Sequence, residues 1–274
     1  MAVEVKRPVT RPTSFIFTLY GDLAHREGGD LSLSAGALIR LMGAFGVSEG
    51  AVRQAVSRMV RQEWLLSERR GSHAYYRVTA RGLRRIEELS PRIYGPVIDW
   101  DGRWRMLTYT VEETRRERRD RLRKELAVLG WAPLSASTWI SPSDSLEAAR
   151  RVAESVGALD AVNLFAGIYC GPSGDRDLVA RCWDLDAIAT AYREFVDRNR
   201  ERMGREFDDE GAFVERLWLV HDYRKFVYLD PGLPSELVPA HWPGTTAAAI
   251  FRERYARLGP KSQRYFRTST NVSS

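Results

Sequence analysis

The chain has 274 residues, 44% hydrophobic and 28% charged, with a formal net charge of +6. That is globular composition, neither collagenous nor disordered, and a chain this long buries roughly 75% of its unfolded surface without disulfides or structural metals. Its length suits two or three domains, and with no apolar run of about 18 residues a membrane-spanning helix is excluded.

The first elements are helical. Ser14 is placed to cap a helix with Ile16, Leu19, Tyr20 and Leu23 at i, i+3, i+4, i+7, and Gly28-Gly29 stops it. Ser34 caps a second helix with Leu38, Leu41, Met42 and Phe45 on one face, and Gly43 and Gly46 break it. Ser48 caps a third. Its inward stripe is Val52, Ala55, Val56, Met59 and Val60, and its outward face carries Arg53, Gln54, Ser57, Arg58 and Arg61. Helix, glycine-containing turn and helix with a polar, Arg-rich face is the layout of a helix-turn-helix. Arginine bonds bidentately to guanine, glutamine to adenine, and serine and arginine to phosphate.

Two β-prone runs follow, Trp64–Arg70 and His73–Thr79, joined by Gly71-Ser72. They read as a hairpin. A hairpin directly after a recognition helix is a wing, with Arg69, Arg70 and His73 at its tip facing phosphates or a minor groove. A helix from Ala80 to Leu89 closes this part, and Ser90-Pro91 through Gly95-Pro96 reads as a linker.

The next stretch alternates. Trp104–Val111 is β-prone, Glu117–Leu129 helical with Gly130 as its stop, Leu134–Ile140 β-prone around a turn that makes it two strands, Ser145–Val156 helical and Val162–Tyr169 β-prone. The order β-α-β-β-α-β is a ferredoxin-like split unit. The charged run Arg115–Arg121 is read as a solvated helix start. From Asp184 the chain is helical again, over 185–202, 212–222 and 245–258, with a Pro-rich passage from Asp230 to Gly244 and a frayed polar tail after Lys261. The expected class is α+β, in three parts: an N-terminal winged helix-turn-helix over 1–95, a ferredoxin-like central domain over 96–183 and a helical C-terminal domain over 184–274.

Charge sharpens this reading. Residues 1–95 hold 15 Lys and Arg against nine Asp and Glu, so the whole excess of six lies there and residues 96–274 balance. A localised basic excess is the footprint of a polyanionic partner, here double-stranded DNA. Arginine outnumbers lysine 38 to 4, so no single arginine is assigned to a phosphate on abundance alone.

Catalytic signatures are missing. There is no phosphate-binding glycine loop and no G-x-S-x-G elbow. The four histidines His25, His73, His221 and His241 lack metal-ligand spacing. The run Trp104–Thr110 contains no carboxylate, and Asp99 and Asp101 precede it, which argues against a nuclease-type metal site on the central domain. No enzyme, metal or cofactor is expected. Trp183, His221, Arg224 and Trp242 form a weak candidate set for an effector, the arginine for an anionic group and the tryptophans for apolar contact; core packing is the competing reading. Cys170 and Cys182 make no disulfide scaffold, and Met1–Pro12 has no apolar core to act as a secretory signal. A cytoplasmic protein is expected.

Several of these stretches together resemble the PaaX family, bacterial repressors of phenylacetate degradation operons. They are Leu19-Tyr20-Gly21-Asp22, the helix Val52–Met59, Arg69-Arg70-Gly71 with Tyr75–Thr79, Trp139-Ile140-Ser141-Pro142 and Trp183-Asp184-Leu185. Asp230-Pro231-Gly232-Leu233-Pro234 and Trp242-Pro243-Gly244 extend the likeness over nearly the whole chain. The resemblance implies the same three parts, the central one similar to small CRISPR-associated ferredoxin-like proteins. It also implies a homodimer on operator DNA, released by an acyl-CoA effector such as phenylacetyl-CoA. Ser72-His73 departs from the more basic wing tip expected of the family. The alternatives are a winged-helix regulator of another pathway with a different ligand, a protein-binding adaptor, and a ferredoxin-like hydrolase.

Overall fold

The computed structural model describes residues 7–27, 32–95, 99–110 and 116–271. The expected stop at Gly28-Gly29, the strand end Val111, the linker residue Pro96 and Arg115 of the charged run lie outside them. The described chain mixes helices with two antiparallel sheets, an α+β fold, and its packing divides into two compact units.

The first unit comprises Met1–Gly95, Asn199–Tyr223 and Ala249–Ser274. Helix α1 (Pro12–Glu27) begins on a proline, whose missing N–H is unneeded in a first turn. It buries Phe15, Ile16, Leu19, Tyr20 and Leu23. After β1 (Ser32–Ser34), the Ser34 hydroxyl caps α2 (Ala35–Gly43) by accepting from the Ala37 amide at 3.1 Å. A short turn leads to α3 (Glu49–Arg61), then β2 (Leu65–Arg70), β3 (His73–Val78) and α4 (Ala80–Tyr94). The strand order is β1-β3-β2. β1 escapes a sequence reading because three residues carry no periodicity. The expected linker at Ser90–Gly95 is instead helical as far as Tyr94: Pro91 forfeits one helix hydrogen bond, but only the final turn lies beyond it.

The same core takes in distant residues. Phe213 and Leu217 of α9 (Asp209–Tyr223) and Phe266 of α11 (Pro243–Thr270) are buried with the α1–α3 side chains. The tail expected to fray after Lys261 is therefore helix, running to Thr270. Its buried stripe is Arg254, Leu258, Ser262, Phe266 and Ser269. That spacing is helical, but two serines and an arginine hide it from a hydrophobic pattern, and Gly259-Pro260 mimics a stop.

Two buried charged groups tie this unit together. Asp22 of α1, 4% exposed, accepts from the Tyr255 hydroxyl at 2.6 Å and from that of Tyr94 at 3.4 Å. Arg216 Nε donates to it at 3.3 Å, and the Arg216 guanidinium lies 3.6 Å from the centre of the Tyr255 ring. Burial and the adjacent Asp22 charge raise both tyrosine pKa values, so the phenols stay protonated and donate. The second group is Arg254, which donates to Glu215 at 2.6 Å and to the side chain of Asn199.

The second unit comprises Pro96–Arg198 and Arg224–Ala248. Its elements are β4 (Trp104–Tyr109), α5 (Arg116–Val128), β5 (Ala132–Pro133), β6 (Thr138–Ser141), α6 (Leu146–Ser155) and β7 (Val162–Gly167). The antiparallel strand order is β5-β6-β4-β7, with Leu107 opposite both Trp139 and Leu164. Leu107, Tyr109 and Trp139 share a core with Leu122 and Leu126 of α5 and Ala149 and Ala153 of α6. Helix α7 (Asp175–Cys182), unforeseen in the sequence, is followed by α8 (Leu185–Arg200) and the short α10 (Phe226–Leu229). The Asp-Pro-Gly-Leu-Pro passage has a clear role here. Asp230 accepts the amides of Gly232 and Leu233 at 2.7 and 3.2 Å and the Tyr192 hydroxyl at 2.7 Å, so one carboxylate folds the turn and anchors it to α8. Thus the segment 184–274 contributes to both units. Among the described residues no helix is long and apolar enough to cross a membrane.

Asp22→Ala, which strands Arg216 and two phenols, is expected to lower the unfolding free energy by about 3–5 kcal/mol in urea denaturation. Arg151→Ala, which breaks an exposed ion pair with Glu147, is expected to cost less than about 0.5 kcal/mol in the same assay.

Candidate nucleic-acid interface

The third helix is built to be held from one side. Val52, Ala55, Val56 and Met59 are buried, with Val60 half-buried, so α3 cannot rotate about its axis without exposing its core stripe. The opposite side presents Arg53, Gln54, Ser57, Arg58 and Arg61, all exposed. Ser48, also exposed, accepts from the Ala51 amide at 3.3 Å and fixes the start of the helix.

The end of α3 is fixed as firmly. The Trp64 amide donates to the Met59 carbonyl at 2.9 Å and the Glu63 amide to that of Val60 at 3.0 Å, a Schellman closure with Glu63 at φ 58°. The buried Thr79 hydroxyl donates to the Glu63 carbonyl at 2.7 Å and accepts from the Gly82 amide at 3.0 Å. One side chain therefore fastens the end of α3 to the exit of the hairpin and the start of α4.

Residues of β2 and β3 pair from Leu65↔Val78 to Arg70↔His73, leaving Gly71-Ser72 as a two-residue turn. Gly71 has φ +61° and Ser72 does not share a positive φ, the pattern of a type II′ hairpin, which favours glycine first. Arg69, Arg70 and His73 are exposed around this tip, and the Ser72 hydroxyl lies 3.1 Å from His73 Nδ1.

The surface is not uniformly positive. Glu49 pairs with Arg53 across one turn of α3, and Glu68 accepts from Arg77 and, at 3.1 Å, from Arg70. Those hydrogen bonds, from Arg77 first, hold the Glu68 carboxyl below its usual range. Arg70 also lies 4.8 Å from the centre of the Tyr75 ring. The sequence reading named neither Glu49, Glu68 nor Arg77. Glu49 was legible as an i, i+4 partner; Glu68 and Arg77 meet diagonally across the hairpin and require its register.

The four effector candidates find different neighbours. His221 lies in the first unit, with Nδ1 2.9 Å from the Thr18 hydroxyl and its ring against Phe15 and Trp218. In the second unit, Trp183 stacks toward Trp104 at 6.3 Å, Trp242 is buried edge-on to Tyr192 at 6.2 Å, and Arg224 is half-buried. Cys170 and Cys182 are free thiols, and burial raises the Cys182 pKa. Among the described residues no three His, Cys, Asp or Glu groups converge to hold a metal.

Three protein-family descriptions match the chain: PaaX-like protein over residues 11–82, PaaX protein central Cas2-like domain over 98–179, and PaaX-like protein C-terminal domain over 183–268. A protein of Escherichia coli (strain K12) named transcriptional repressor PaaX is 32% identical over 258 residues, covering 90% of this chain and 80% of that one. The solved structure of an uncharacterized protein from Mycobacterium tuberculosis has a like fold, with a TM-score of 0.59 at 24% identity, over 93% of this chain and 99% of that one.

Thr79→Val keeps the side-chain volume but deletes both hydroxyl bonds. It is expected to destabilise the protein by about 1–3 kcal/mol, measured by urea denaturation.

Proposed function

The chain belongs to the PaaX family, and from that premise we propose that it is a DNA-binding transcriptional repressor. The observation that carries this reading is α3. Its apolar stripe is locked in the core, and its outward face offers Arg53, Gln54, Ser57, Arg58 and Arg61 to solvent. Helices α2 and α3 act as the helix-turn-helix of a winged helix, and α3 enters the major groove. Arg53, Gln54 and Arg58 read base edges; Ser48, Ser57 and Arg61 hold phosphates. The β2–β3 hairpin is the wing, and Arg69, Arg70 and His73 approach the neighbouring backbone or minor groove. Glu68 tempers that approach by sharing Arg70.

The central β-α-β-β-α-β segment is read as ferredoxin-like, which the strand order β5-β6-β4-β7 supports. We assign the protein three functional parts, over 1–95, 96–183 and 184–274. It acts as a homodimer, so its operator is a near-palindrome with half-sites about 34–36 Å apart or a multiple of that. The operon it controls serves phenylacetate breakdown, and the effector is an aryl-acyl-CoA such as phenylacetyl-CoA. Trp183, Arg224 and Trp242 are the effector candidates of the second unit, and His221 belongs to the first. The effector must bind the released state more tightly. Moving the population from 99:1 to 1:99 takes about a 10⁴-fold preference.

The test is binding of the purified protein to DNA upstream of its own gene, titrated across salt, with phenylacetyl-CoA or free coenzyme A. Tight specific binding, steeply weakened by salt and abolished by the thioester alone, is the expected result. Binding indifferent to the thioester would keep the repressor and assign it another ligand. Absence of salt-dependent binding would favour a protein-binding adaptor. Arg53→Ala is expected to weaken operator binding by about 1–3 kcal/mol, read by titration at fixed salt.

A further inference from the structure

Two features in the first turn of α3 contribute little to the fold. Gly50 is exposed and not at positive φ, and a Cβ built on it meets nothing within 4 Å. Alanine would fit there and favour the helix, so the fold itself gives no reason for a glycine. Beside it, Glu49 and Arg53 pair with side chains 58% and 62% exposed, too open to contribute much stability.

The geometry of that pair is directional. Arg53 Nε donates to Glu49 Oε1 at 2.8 Å, and Nη2 lies 2.7 Å from the same oxygen. One edge of the guanidinium is thereby occupied. The Nη1–Nη2 end has no partner among the described residues and keeps two parallel donors. That end matches the O6 and N7 acceptors of guanine in a major groove. The pair is also neutral overall. A lone arginine adds affinity for any DNA through its charge, whereas a neutral pair adds little except where its fork finds the right base edge.

Resting on the reading of α3 as the recognition helix, we propose that Glu49 is a positioning residue for base readout: it aims the free end of Arg53 at one guanine per half-site, and Gly50 leaves the clearance that guanine needs. Glu49 acts through Arg53 and makes no contact with DNA itself. The pair thus adds specificity beside Gln54 and Arg58, while Arg61 and the hairpin supply general affinity.

The experiment measures operator and non-specific DNA binding across salt, with 7-deazaguanine, which lacks the N7 acceptor, placed at each half-site guanine in turn. The wild-type protein is expected to lose about tenfold at one position, within the roughly 5- to 150-fold range of a bidentate contact. Glu49→Ala frees a positive charge. It should bind non-specific DNA more tightly, with a log–log salt slope steeper by about 0.9, and lose most of the discrimination at that guanine. Arg53→Ala should be blind to the 7-deaza substitution, and adding Glu49→Ala should not change its discrimination further. Gly50→Ala should raise the thermal midpoint yet weaken operator binding several-fold. Full wild-type discrimination in Glu49→Ala would overturn the positioning role, and wild-type operator binding by Gly50→Ala would overturn the clearance. If Arg53→Ala leaves operator binding unchanged, Arg53 is no part of the readout and this proposal fails, whereas operator binding also unchanged by Gln54→Ala and Arg58→Ala would remove α3 from the groove altogether.

Discussion

The carboxylate of Asp22 is a negative charge almost cut off from water, and the first unit is organised around satisfying it. An unpaired buried carboxylate is too costly to keep, so its partners are obligatory. Beside Arg26 of α1 itself, they come from three further segments of the chain: Tyr94 from α4, Arg216 from α9 and Tyr255 from α11. Around this anion the apolar side chains of α1, α2 and α3 pack with Phe213, Leu217 and Phe266. Hydrophobic burial supplies most of the drive to fold, but it is indifferent to orientation. The charged node is not. It admits one arrangement of four segments, and that arrangement seats α1, against which α3 rests.

Function then follows from how little α3 can move. Its cap, its Schellman closure and the Thr79 hydroxyl fix both ends, and the buried stripe fixes its rotation. Side chains meant to read base edges need such a platform, because a bidentate contact tolerates little misplacement. The basic excess of this region is shaped as well as concentrated. Glu49 holds Arg53, and Glu68 holds Arg70 and Arg77, so positive charge is offered in chosen directions instead of as a diffuse cloud.

Much of this could be read from the chain itself. The α3 stripe is strictly periodic, and Gly71-Ser72 between β-prone runs carries its own turn chemistry. The nine proposed DNA-contacting residues, Ser48 through His73, all lie exposed on α3, its cap and the hairpin tip, because amphipathic spacing already separates inside from outside. The misreadings share a cause. Pro91 and Gly259-Pro260 look like stops, yet tertiary packing carries both helices past them. Ser262 and Ser269 are buried as small residues, which a hydrophobic pattern does not register. Apart from these, Trp183, His221, Arg224 and Trp242 form a set by residue type alone, and type says nothing about which neighbours a side chain will meet.

The reach of the Asp22 node bears on when this protein becomes competent. A ribosome completes Gly95 long before it makes Tyr255, and at about 5–20 residues per second the interval is on the order of 10–30 seconds. For much of that time the nascent N-terminal third has only Arg26 and Tyr94 beside its carboxylate, and its apolar face waits for Phe213, Leu217 and Phe266. The packing behind the proposed DNA-reading surface is therefore completed late in synthesis, well after the residues of α3 have been made. A chain stalled or cleaved before α11 would keep Arg216 and Tyr94 but lack Tyr255 and the core side chain Phe266, so α1 would be less firmly seated in truncated products.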